Sequence, residues 1–170
     1  PTTDLVGIFG FAVNEGVFRD LGVENTYVVG GTSNAGLLFG YALGKTIEDV
    51  YVNGGVLALA ESTLSTYAGG LVGILSASPL SGVASFAHTI APHPVGVAGG
   101  LAGTARWHSI DTSYATGHVI GRSAGGFIGT IGMPSGTSMP VLESSYARGH
   151  GISTLVGGGF AAGFHYNAGI

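Results

Sequence analysis

A chain of 170 residues with 45% apolar content is long enough for one domain with a buried core. Only 8% of its residues are charged, and five Lys+Arg within a net charge of −4 form no basic patch for nucleic acid or an anionic membrane. The 33 glycines occur without a Gly-X-Y period and alongside many Val, Ile, Leu, Phe and Tyr residues, which excludes collagen and argues against disorder.

In chain order, Pro1 is followed by no charged segment leading into an apolar one, so we expect a processed product or an excerpt of a longer chain. Two motifs then alternate. The first is a short apolar run between glycines: "GIFG" (7–10), "GLLFG" (36–40), "GLVG" (70–73), "GLAG" (100–103), "GFIG" (126–129) and "GFAAG" (159–163). Its closing glycines, Gly10, Gly40, Gly73, Gly103, Gly129 and Gly163, are 30, 33, 30, 26 and 34 residues apart. Between them runs "VENTYVVG" around Tyr27, "IEDVYVNG" around Tyr51, "IDTSYATG" around Tyr114 and "LESSYARG" around Tyr146. A degenerate copy, "GVASFAHT", puts Phe86 in the tyrosine column.

A repeat near thirty residues suits either helical or β architectures. Glycine inside every apolar run disfavours helices, where it costs about 1 kcal/mol against alanine. Constant motifs at a variable period predict fixed strands joined by corners that accept insertions, and Pro79, Pro92, Pro94, Pro134 and Pro140 all fall between motifs. The expected fold is all-β: a parallel β-solenoid of about five coils plus a partial coil, one domain over 1–170. Its apolar runs are too short for a transmembrane helix, so membrane insertion is not expected and the chain should be soluble. Without cysteine there are no disulfides and no thiolate sites.

The paired motifs resemble the GLUG repeat family of bacterial secreted and surface proteins. The likeness rests on Gly69, Gly70, Leu71, Val72 and Gly73 for the first half, and on Ile110, Tyr114, Ala115, Thr116 and Gly117 for the second. Many family copies carry Cys before the tyrosine, where this chain has Thr26, Val50, Ser85, Ser113 and Ser145. The resemblance implies a repetitive β-scaffold of adhesins and large surface proteins, extracellular or at the cell surface, with no catalytic residues to transfer.

Read column by column, Val23, Ile47, Ile110 and Leu142 stand four before the aromatic and should share its inward face, with Gly82 in the third copy. Asn25, Asp49, Ala84, Thr112 and Ser144 lie between, small or hydrogen-bonding. Alternation breaks after the tyrosine, so a corner is expected there, with glycines at 30, 54, 117 and 149 permitting positive φ or close approach of coils.

Candidate sites are few. Glu24, Glu48, Asp111 and Glu143 form an acidic column, interrupted by Val83, which could hold Ca²⁺ or serve as a solvated face. His118 and His150 should be stacked neighbours able to bridge a divalent metal, though no third ligand is evident. The letters of a triad at His108, Ser109 and Asp111 come without a "GxSxG" elbow, and His88 and His93 lie in a Pro-containing insertion. We therefore expect no enzyme, no cofactor and no resident metal. Tyr41, Tyr67, Trp107, His165 and Tyr166 could offer platforms for glycans.

Neither terminal stretch reads as a cap: "LVGIFGF" (5–11) opens the array much as "LVGGGFAAGF" (155–164) closes it. The expected function is a structural subunit of an extracellular filament or stalk, its partners being copies of itself stacked head to tail. The alternative is an adhesive module, cut from a larger surface protein, that binds glycans or a host surface.

Overall fold

The computed structural model describes residues 5–30, 34–59, 65–106, 109–134 and 141–167, giving the backbone alone for 133–134 and 164–167. The described residues are all-β, in two sheets whose strands pair in parallel with the equivalent strand one coil away. The chain is a β-solenoid of about five turns. A typical coil runs through Thr66–Gly69, bends at 70–71, and continues as Val72–Ser76. It then turns through Leu80–Ser81 and Ala84–Ser85 into His88–Ala91 before climbing to Gly96–Gly99 of the next coil.

The glycine motif is the bend where two strands of one coil meet backbone to backbone. A Cβ on Gly69 would lie 2.0 Å from the Val72 carbonyl oxygen, and one on Gly99 would lie 1.9 Å from that of Ala102. At the closing position, a Cβ on Gly103 would meet the Gly73 carbonyl oxygen of the coil below at 2.7 Å. No side chain fits at these three glycines, which is why the motif recurs in the inner coils while coil length varies. Inside the bend, Leu38, Leu71, Leu101 and Phe127 form one fully buried column.

The closing-glycine column holds from Gly10 through Gly40, Gly73 and Gly103 to Gly129, and then departs from expectation. Ile128 pairs with Ala161 and Thr130 with Gly163, so Ala162 stands in the column and Gly163 lies one place past it. Open space surrounds Gly163, consistent with a position under no steric demand for glycine.

The tyrosine column also needs correction. Tyr51, Ala84, Tyr114 and Tyr146 are in register, so the third coil contributes Ala84. Ser85 is beside Ala115 and Thr89 beside Val119, which places Phe86 beside Thr116, although its ring still meets Tyr114 edge-on at 5.7 Å. Tyr27 is displaced in the same sense and further, beside Gly55, while Gly22 pairs with Tyr51. The first-coil residues in register with the repeat are Phe18 to Gly22, which end five residues before Tyr27, and a bulge follows them: Val23 pairs with Val52 and Thr26 with Gly54, so Glu24 and Asn25 together oppose Asn53.

This register removes the irregularities of the inward column. Phe18, Ile47, Leu80, Ile110 and Leu142 are aligned, with Leu80 in place of Gly82 and Phe18 in place of Val23. Gly82 is instead a corner. Asp20, Asp49, Gly82, Thr112 and Ser144 all adopt positive φ, at 53°, 49°, 64°, 48° and 47°, two residues before the tyrosine position. The sharp turn thus precedes the aromatic rather than following it. Gly117 and Gly149 serve close approach, since a Cβ on each would lie 1.8 Å from a carbonyl oxygen of the coil below.

Candidate functional site: ladders and open ends

Stacking turns each repeated residue into a ladder. Tyr114 and Tyr146 rings stack at 5.0 Å and 3°, with the Arg148 guanidinium 5.3 Å from the Tyr146 ring centre. Behind them, the Ser113 hydroxyl donates to the Asp111 carbonyl at 2.7 Å and accepts the Val83 N–H at 3.2 Å. Ser145 repeats the arrangement, donating to the Glu143 carbonyl and accepting the Ser113 N–H. These two serines satisfy the backbone at the corner and tie consecutive coils together.

His118 and His150 are stacked neighbours, as their spacing implied, with ring centres 5.1 Å apart. Sequence reasoning missed the third member, His88, which stacks on His118 at 5.1 Å. Its signal was available: histidines at 88, 118 and 150 follow the coil spacing, but aligning Phe86 with the tyrosines moved His88 off the column. Nδ1 of His88 accepts the His118 N–H at 3.1 Å, and Nδ1 of His118 accepts the His150 N–H at 3.3 Å. These nitrogens are therefore committed to the backbone, and stacked rings at this separation do not converge on a common ion. Among the described residues no group of three or more His, Cys, Asp or Glu side chains is placed to hold a metal.

The acidic column changes membership in the same way. Arg19, Glu48, Ser81, Asp111 and Glu143 are in register, so a cation opens the row and Ser81, not Val83, interrupts it. Glu24 belongs to the bulge, where it accepts the Tyr51 hydroxyl hydrogen at 2.9 Å. That hydrogen bond, then the charge of the carboxylate, then desolvation hold the Tyr51 phenol above its usual pKa. Glu24 and Glu48 do not come together as a calcium pair.

Of the proposed glycan platforms, Tyr41 is half-buried with its ring 5.3 Å from Phe11, and Tyr67 is half-buried in its strand. Trp107 and His108 lie outside the described residues, as do the side chains of His165 and Tyr166. The glycan platform and the His108, Ser109 and Asp111 set are therefore described only in part.

The two ends of the stack differ from the coils between them in how the core columns are covered. In the first coil Phe9 is 42% exposed, whereas Phe39, Val72, Ala102 and Ile128 in register with it are fully buried. In the final turns Leu142 and Phe160 are half-buried, whereas Ile110 and Phe127 beside them are fully buried. A groove of ≈ 330 Å³ also opens on the first coil, with Ile8, Phe9 and Leu38 on one wall and Leu21 and Val23 on the other. Comparison with protein-family models, curated proteins and solved structures returned no match for the chain.

Proposed function

We propose that this chain is a structural unit of an extracellular filament or stalk, whose end coils receive further coils of the same kind. The observation that supports it is the contrast in burial: core columns fully buried in the inner coils are partly uncovered at both ends, at Phe9, Leu142 and Phe160, beside strand edges that no described residue covers. Parallel stacking is self-complementary, because one strand edge offers the groups that the opposite edge of the next coil needs. Head-to-tail contact that closes no ring lengthens without limit, which makes a rod into a fibre. The ladders suit this role, being repetitive, small in area and held to the backbone rather than open around a substrate. The GLUG-like repeat and a surface location belong to the same reading.

Sedimentation velocity over a hundredfold range of concentration tests it. The expected result is a series of species growing with concentration; a single species with the mass of one chain at every concentration contradicts it.

A further inference from the structure

We propose that successive copies join by exchanging one leg of a coil, an inference that rests on head-to-tail assembly and fixes its register. Among the described residues one sheet has six strands, from Phe9–Ala12 at one edge to Ala161–Asn167 at the other. The tyrosine-column strands stop one level earlier, at Tyr146–Ala147. The tail of the rod is therefore stepped. A second copy that lays its Gly16–Gly30 strand on this exposed edge brings its own residues 5–12 into space already held by residues 156–167. The two legs compete for one level, and one must leave.

The geometry selects the incoming N-terminal leg. Its bend, Gly7 to Gly10, is one residue shorter than Gly36 to Gly40, Gly69 to Gly73, Gly99 to Gly103 or Gly125 to Gly129. The missing residue is the one that Leu38, Leu71, Leu101 and Phe127 contribute to the core, and the groove of ≈ 330 Å³ lies beside Leu38. The C-terminal bend has full length and places Phe160 in that column, stacked on Phe127 at 4.7 Å. Exchange sets Phe160 beneath Leu38 of the second copy, where the shorter bend leaves room unfilled. The N-terminal leg is also held by shorter strands, Leu5–Val6 and Phe9–Ala12, than Ala161–Asn167.

Charge agrees with the same register. Continuing the columns brings exposed Glu143 beside Arg19 of the second copy, and exposed Arg148 beside its Glu24, one oxygen of which already takes the Tyr51 hydroxyl. Tyr146 comes to lie against Gly22 of the second copy, the position with no side chain and one that Tyr51 already covers from the other side.

Because the chain has no cysteine, disulfides can be introduced at will. With Arg19→Cys and Glu143→Cys in one chain, the two thiols lie four levels apart, about 19 Å, and cannot pair within a copy. Oxidation is expected to give a covalent ladder of multimers that collapses on reduction. A second variant, Phe11→Cys with Tyr41→Cys, pairs residues in register and pins the N-terminal leg to its own second coil. It is expected to stay monomeric when oxidised and to assemble when reduced, the reduced sample showing that the variant folds. Assembly without a covalent ladder in the first variant overturns the register. Equal assembly of oxidised and reduced forms in the second overturns the exchange. A wild-type chain that never assembles overturns the head-to-tail reading and this inference with it.

Discussion

The inner coils and the first two coils meet the same packing demand in opposite ways. From the third coil on, the position after the opening glycine of each bend is Gly70, Gly100 or Gly126, facing Ser85, Ala115 or Ala147. A Cβ on Gly70 would come within 2.1 Å of the Ser85 hydroxyl oxygen, so a small side chain from across the coil packs directly on the glycine backbone there. In the second coil the same positions hold Leu37 and Val52, both fully buried, and in the first they hold Ile8 and Val23. The second coil is thick and filled with side chains, the first is as wide but leaves Ile8 exposed, and the coils beyond are thin and closed by glycine. A glycine-bounded motif is thus only half of a packing rule, and the residue across the coil supplies the other half.

The largest effect should follow from breaking the thin region. Gly99→Ala forces a methyl group into the Ala102 carbonyl and is expected to cost about 3 kcal/mol or more, since only backbone could yield. Gly159→Ala at the tail, where nothing lies within 4 Å, should stay within about 0.5 kcal/mol of wild type. Equal losses in the two variants, measured by urea denaturation, would remove the distinction. Ile110→Ala should cost about 2–5 kcal/mol, because this side chain is fully buried in the column that ends at half-buried Leu142. Leu142→Ala, at the open edge, is expected to lose clearly less.

A gain is expected at the corner. Thr112 is β-branched at φ 48°, in the column where the third coil uses Gly82. Thr112→Gly should relieve strain of about 1 kcal/mol and raise the melting temperature, and a lower one would show that the threonine contributes more than its backbone costs. The smallest effect concerns the bulge of the first coil. Glu24→Gln removes the carboxylate that raises the Tyr51 phenol, so the ultraviolet titration midpoint of that tyrosine should fall toward the ordinary tyrosine value. An unchanged midpoint would mean that Glu24 and Tyr51 are apart in solution.

Much of this architecture was legible from spacing alone. The glycine columns from Gly10 to Gly129, the Tyr114 and Tyr146 pair and the His118 and His150 pair all follow from constant motifs at a near-constant period. The third coil was misread because an aromatic residue is a stronger visual anchor than the position it occupies. Phe86 sits where Asn53 and Thr116 sit, whereas Leu80, four residues before Ala84, marks the buried position that fixes the true register. The first coil was misread because its in-register copy, Phe18 to Gly22, has glycine in the tyrosine place, while Tyr27 lies four positions past the column. The step at the tail emerged only from the strand pairing, since the motif of residues 155–164 looks the same whether or not a further strand covers its neighbour.

The most direct test is the axial rise per subunit in a helical reconstruction of the assembled chain from electron micrographs. With the columns running unbroken through each junction and one leg exchanged, a subunit adds five levels, or about 24 Å. A rise of about 29 Å, the six levels of unexchanged copies set end on end, would contradict that continuity, as would a field of separate single-chain particles.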